Sequence, residues 1–501
     1  MTKVLSGSLA SGFISGNSST ISLNAPVDVL KVNSVKMNNI TRLSKAGFNA
    51  FSLLQNGVLY TTAGNQATYG SYGLARGTSF PNNMGYDSLR VVAFPNETGP
   101  IIDTNTNGYT VSYALFGNGN LYTWGYNNQG QCGLGHTNIT YVPTLAATGV
   151  TNVYMHPSNG DYAISCKLLI RKTDGYLYGA GYNGNGQLGV GDTTNRSTFT
   201  QLTSLGNSIL SCWNMGSDYG CVVVQKADYT IWVSGYNGYG QLGDGTSTTR
   251  STPVDVTTNW GGGPNKTLVK VIGGFGRHYG SGADALSWMA MLVDDGTTNT
   301  LKVAGYSGQG VCGMGGTSNY STPQNPTYGT GRIADVAGGS GGLGHIHLLK
   351  TDGTLWAWGY NGYGQLGVGN TTNQNSATLI GGGYSALLSD CLTNYVYCYY
   401  TQTFVRKTDN AVYSTGYNGH GELGVGDTTD RSSFTKVLLP NSFITTDMGW
   451  YPTTYPGMTF ICISSDGKLY AWGQNSQYGI SGEGYANYIA TPIQIRLPLG
   501  A

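Results

Sequence analysis

Residues 355–372 read Leu-Trp-Ala-Trp-Gly-Tyr-Asn-Gly-Tyr-Gly-Gln-Leu-Gly-Val-Gly-Asn-Thr-Thr, and the stretch changes character at Gly359. Before that glycine, an aliphatic residue, an aromatic and then smaller residues alternate with the period of two expected of a β-strand. After it, the glycines are too dense for a continued strand. The segment reads as a looped crossing with one large apolar residue, Leu366, plugged inward. Just upstream, Asp352-Gly353 accepts the positive φ of a two-residue turn, so the strand is the second arm of an antiparallel hairpin.

The pattern recurs along the chain. Aligned on the glycine that ends the strand (Gly64, Gly125, Gly181, Gly235, Gly305, Gly359, Gly416 and Gly473), successive copies lie 61, 56, 54, 70, 54, 57 and 57 residues apart. The first, around LYTTAGNQATYGSYGLARG, is diverged. Such a period belongs to propellers and solenoids. Each strand opens on an aliphatic residue, among them Leu59, Leu121, Ile231, Leu301, Val412 and Leu469. Turn pairs recur at Asn56-Gly57, Asp174-Gly175, Asp295-Gly296 and Asp466-Gly467, and closing segments such as S-T-P-V-D-V and T-P-I-Q-I supply a further strand. Strands apolar on both faces must be sandwiched by neighbours, which radial stacking of blades provides. The fold class expected is all-β, a β-propeller.

The core L-[YW]-x-W-G-x-N-x-x-G-Q-L-G-x-G resembles the regulator of chromosome condensation repeat family, and the family's upstream G-x-x-H element survives around His278 and His345. The resemblance covers residues 45–501 and implies a propeller, usually of seven blades. Eight copies predict eight blades here, with seven the alternative if the diverged first copy is an appendage. Residues 1–44 do not show the repeat and are expected to form a docking or ring-closing segment ahead of a propeller spanning 45–501. The family also includes plant ultraviolet-B photoreceptors, but the repeated G-W-R-H-T pattern is missing here.

Only 10% of residues are charged, against roughly 25% in an ordinary soluble domain, while glycine supplies 79 residues and tyrosine 37. The net charge of +1 and the absence of a Lys/Arg run leave no field for phosphate backbones, so no nucleic-acid partner is expected. Eight cysteines occur without a C-x-x-C, which reads as buried free thiols. The opening MTKVLSGSLASGFISG is too rich in Gly and Ser for an apolar signal core, and no run of 18 apolar residues occurs, so neither a cleaved secretion signal nor membrane insertion is expected.

Chemistry is sparse. No G-x-x-x-x-G-K-[ST], H-E-x-x-H or G-x-S-x-G is present. Glu422 and Asp427 are close in sequence, but Asp192 and Asp427 share a repeat position where a short acid caps a turn. His345 and His347 fall on one face of a strand without further ligands, so neither metal nor cofactor is expected. Trp124, Trp358 and Trp472 share one repeat position and read as packing between blades. Trp260 in TTNWGGGPNK, and Trp450, Tyr451 and Tyr455 in TTDMGWYPTTYPGM, occupy turn-rich segments and are the candidate binding residues, as aromatic platforms for sugars or proteins. The extra loop between Thr257 and Lys270 points the same way. SDCLTNYVYCYYTQT, holding Tyr395, Tyr397, Tyr399 and Tyr400, alternates as a strand does.

These features describe a non-enzymatic binding or structural module. The leading expectation is a virion-associated protein, a bacteriophage tail or head appendage made in the host cytoplasm. Its partners would be other virion proteins, reached through residues 1–44 in an oligomeric assembly, and a host-surface glycan or protein. The alternative is a cytoplasmic regulatory propeller, such as a small-GTPase exchange factor or an interaction scaffold.

Overall fold

The computed structural model describes residues 12–13, 40–46, 50–55, 57–61, 90–94, 97–105, 111–155, 166–216, 219–275, 286–339, 344–388, 402–439, 448–452, 458–463, 469–474 and 488–494. Among the described residues the strands form eight antiparallel sheets, met in chain order, and the helical content is a single turn of α-helix and one of 3-10. The fold is a β-propeller.

The sixth sheet shows how one repeat becomes one blade. Its strands are Ile333–Gly338, His345–Lys350, Leu355–Gly359 and Gln374–Gly381, in that spatial order. Gly353, at φ +80°, makes the turn between the second and third. The third strand ends at Gly359 because φ there is +101° and a Cβ would sit 2.5 Å from the Gly344 carbonyl oxygen. Ile346, Leu348 and Trp358 pack on the fifth sheet, while Leu349 and Leu355 pack on the seventh. Both faces are therefore buried, as the strand composition requires.

First strands of neighbouring sheets approach one another and so lie innermost, and Ile40–Ala46 of the first sheet lies against Met448–Pro452 of the last. Lys270 and Asp335, on the first strands of the fifth and sixth sheets, form an ion pair at 2.9 Å. Ile40–Ala46 runs across the expected boundary between residues 44 and 45, so the first blade begins inside the segment set apart by sequence.

Leu188, Leu242, Leu366 and Leu423 are fully buried plugs. Each depends on a buried asparagine five residues earlier. Asn361 Oδ1 accepts from the Leu366 N–H at 2.9 Å, and its Nδ2 donates to the carbonyls of Asn370 and Thr372 at 2.8 and 3.0 Å. Asn183, Asn237 and Asn418 repeat the arrangement. Asp192 and Asp427 cap turns, accepting from Thr194 and Thr429 N–H and pairing with Arg196 and Arg431. Six cysteines are buried free thiols; Cys391 and Cys398 lie outside the described residues.

Candidate binding faces

Because the seven four-stranded sheets share one strand order, the hairpins joining second to third strands gather on one face of the ring. The loops leaving the third strands gather on the other. Each face carries a repeated side-chain arrangement.

On the hairpin face, four copies read K-x-D-x-x-[LIV]-[YW]: Lys172, Asp174 and Tyr178; Lys226, Asp228 and Trp232; Lys350, Asp352 and Trp356; Lys407, Asp409 and Tyr413. The lysine ends the second strand and the aromatic is the second residue of the third, so hairpin pairing sets them side by side. Lysine Nζ lies 5.1, 5.5, 5.1 and 4.3 Å from the respective ring centroids. The four rings are half-buried and the four aspartates exposed. Tyr178 and Tyr413 donate their hydroxyls to Asp174 and Asp409 at 2.6 and 2.9 Å. The Tyr178 bond holds the Asp174 carboxyl below its ordinary range, while the carboxylate pushes the Tyr178 hydroxyl up to about 12. Asp228 and Asp352 bind the backbone and hydroxyl of Thr230 and Thr354 instead, which lowers them too. The face is thus a ladder of aromatics flanked by both signs of charge.

On the opposite face, Tyr126, Tyr182, Tyr236, Tyr306, Tyr360 and Tyr417 follow the strand-ending glycines and are half-exposed. Backbone bonds such as Tyr360 N–H to the Gly344 carbonyl, 3.0 Å, fix their course. The hydroxyl ends of Tyr182, Tyr236, Tyr306, Tyr360 and Tyr417 crowd the glycine two residues on so closely that a Cβ there would collide with the ring. Beneath, Gln131, Gln187, Gln241 and Gln365 are fully buried and accept backbone N–H bonds at 2.8 to 3.1 Å; Glu422 takes the same place in the seventh sheet.

The residues singled out from sequence sit elsewhere. Trp260 is 1% exposed, ends the helix Thr257–Trp260 and donates to the Leu242 carbonyl; the expectation of an exposed platform is corrected, because this indole fills a space between the fourth and fifth sheets. Trp450 and Tyr451 belong to the strand Met448–Pro452, paired with Phe460 and Thr459, rather than to an irregular loop. Tyr455 and Tyr395 to Tyr400 lie outside the described residues. His345 and His347 are fully buried between blades, and no metal-holding group of His, Cys, Asp or Glu occurs among the described residues. Among the described residues, no helix is long and apolar enough to cross a membrane. Neither face was singled out from sequence, although the K-x-D-x-x-[LIV]-[YW] spacing stands in the repeat.

A family model described as the regulator of chromosome condensation (RCC1) repeat matches residues 118–155 and 352–379, two of the copies that build these faces. The chain resembles the regulator of chromosome condensation repeat family. It is 29% identical over 320 residues to the ultraviolet-B receptor UVR8 of Arabidopsis thaliana, covering 63% of this chain and 64% of the receptor. It is 25% identical over 394 residues to the human E3 ubiquitin-protein ligase HERC2, covering 75% of this chain and 7% of the ligase. With the X-linked retinitis pigmentosa GTPase regulator of Canis lupus familiaris it shares 26% identity over 330 residues, 65% of this chain and 29% of that protein. The chain spans less than two thirds of the length of each of these curated relatives. Among solved structures, yeast RCC1 (Prp20) bound to Kap60 matches with a TM-score of 0.49 at 15% identity, covering 76% of this chain and 89% of that one. Human WBSCR16 matches at 0.47 and 16%, covering 76% and 94%. The chain is a β-propeller with RCC1-like repeats, and the expected virion appendage has no counterpart among these relatives.

Proposed function

We propose that this chain is a non-enzymatic regulatory scaffold that works inside the cell and docks protein partners on its hairpin face. The observation that carries the reading is the fourfold lysine–aromatic–aspartate ladder. Half-buried Tyr and Trp side chains supply contact area at low entropic cost, and they are the residues that dominate protein interfaces. Flanking charges of both signs fix register and steer encounter more than they add affinity. The relatives support it by their names, which are those of a receptor, ubiquitin ligases and a GTPase regulator.

The experiment compares partners captured in cells by the unaltered chain, by a Trp232→Ala/Trp356→Ala variant, and by a Tyr239→Ala/Tyr363→Ala variant of the opposite face, where these two half-exposed tyrosines stand three positions after Tyr236 and Tyr360. The expected result is a defined partner set lost from the first variant and kept by the second. A set indifferent to Trp232 and Trp356 would overturn the proposal.

A further inference from the structure

The tyrosine crown on the opposite face is left unused by that docking reading, and three of its properties narrow what it can hold. Its ionic groups are already paired: the positions three after each crown tyrosine are Gln129, Asn185, Tyr239, Gln309, Tyr363 and His420, and in the same loops Asp192, Asp244 and Asp427 are held by Arg196, Arg250 and Arg431. It is preorganised, because five of the tyrosines abut a glycine whose Cβ would meet the ring, and five of the six copies carry a buried Gln or Glu tied to the backbone, Val311 taking that place beside Tyr306. And it repeats, with two kinds of step between sheets. Tyr239 meets Tyr306 edge-to-face at 5.4 Å between the fourth and fifth sheets, as Tyr363 meets Tyr417 at 5.5 Å between the sixth and seventh. Between the second and third, and between the fifth and sixth, the step is an amide pair, Asn195 Nδ2 to Gln129 Oε1 and Asn373 Nδ2 to Gln309 Oε1.

From this geometry we propose that the crown is a binding site for uncharged oligosaccharides. Aromatic rings take the C–H faces of sugars, and side-chain amides and phenols exchange hydrogen bonds with sugar hydroxyls. With the carboxylates of these loops already paired to arginines, a neutral polyol displaces water without breaking an ion pair or stripping a charge. A charged glycan or a phosphate chain would have to compete with Asp192, Asp244 and Asp427 for the arginines they hold. Near-identical subsites on successive sheets suit a ligand that itself repeats, since weak contacts at each then combine through effective concentration.

The test uses the full chain and saturation-transfer NMR with maltohexaose, cellohexaose, xylohexaose and mannohexaose, with a heparin hexasaccharide and a decaproline peptide as competitors of other chemistry. The expected result is saturable binding of at least one neutral hexasaccharide, with equal affinity at low and high salt. Tyr239→Ala and Tyr363→Ala, at half-exposed positions, each weaken it about fivefold, the equivalent of about 1 kcal/mol for a stacking contact. Trp232→Ala/Trp356→Ala leaves it unchanged, which separates this site from the hairpin face. Absence of saturable binding by every neutral hexasaccharide at millimolar concentration would overturn the proposal. So would binding indifferent to the tyrosine double variant, or a preference for heparin or decaproline.

Discussion

Trp260 donates its indole N–H to the carbonyl of Leu242 at 2.9 Å, and its Nε1 lies 2.5 Å from where a Cβ on Gly243 would stand. Trp358 and Trp472 take the matching places over Gly313 and Gly424, donating to Val311 and Glu422 at 2.8 Å. Those two come from the third strand of the next sheet, at the repeat position that is Ala304 in the fifth. Trp260 comes instead from the extra loop that follows the fourth sheet, so an insertion restores the aromatic that the repeat lost. Phe199 and Phe434 fill the corresponding spaces over Gly133 and Gly367, where the repeat position is Ala180 or Thr415. One aromatic thus closes each of these interfaces, whatever its place in sequence.

Trp260→Ala is therefore expected to destabilise the chain by about 3–5 kcal/mol, the range for a buried Trp truncated to Ala, and to a degree similar to Trp358→Ala. Urea titration followed by circular dichroism checks this. A loss of less than about 0.5 kcal/mol, typical of surface substitutions, would mean the indole is dispensable.

Much of the fold was legible because each repeat states its own structure: the turn pair, the alternating strand, the ending glycine and the single leucine all act locally. Trp260 was misread because its role depends on Ala304, a residue 44 positions later in the next repeat. The signal was the coincidence of a missing tryptophan with an adjacent insertion. The binding faces were hidden for a related reason. Lys350 and Trp356 become neighbours only through hairpin register, and the direction of Tyr360 follows from the positive φ at Gly359.

The asparagine beneath each leucine plug is expected to matter as much as the leucine. Asn361→Ala removes three backbone hydrogen bonds and strands a buried N–H and two carbonyls, each costing about 1–3 kcal/mol if nothing replaces the partner. Leu366→Ala should cost about 2–5 kcal/mol by the cavity it leaves. Asn361 holds the backbone N–H that Leu366→Ala keeps, and losing that bond frees the loop to relax around the cavity the leucine leaves, so the double variant should fall short of additivity. Thermal unfolding of the three variants decides; strict additivity would deny the coupling.

Stability should fall on mild acidification through His345 and His347. Burial lowers the imidazole of His347 from the ordinary 6.5 to about 4, partly offset by its contact with the Leu366 carbonyl at 3.3 Å, and burial next to His347 lowers His345 well below its usual range. Below pH 6.5 the unfolded chain takes up protons that the folded chain refuses. Each histidine therefore removes about 1.4 kcal/mol per pH unit until the folded group itself titrates. The repeat shows how to test it, since Gln402 holds the place of His345 in the next sheet, opposite Gly416 as His345 is opposite Gly359. His345→Gln should flatten the dependence of unfolding free energy on pH between 7 and 5 by one proton's slope. An unchanged slope would remove His345 from the account.

Two glycines of the fifth and sixth repeats should answer oppositely to alanine. At Gly359 the backbone holds φ +101° and a Cβ would meet the Gly344 carbonyl oxygen at 2.5 Å, so Gly359→Ala forces the end of the third strand away from the start of the second. The dihedral strain alone costs about 1–3 kcal/mol, and the displaced Tyr360 backbone bond to the same carbonyl adds to it. At Gly316 no atom lies within 4 Å of the Cβ position and φ is not in the left-handed region. Gly316→Ala should instead raise stability by about 0.4–1 kcal/mol, because it restricts the unfolded chain without straining the folded one. Measured side by side by denaturant unfolding, the pair separates glycines that the propeller needs from those that merely enrich its composition, and equal effects at the two sites would contradict the backbone geometry at Gly359.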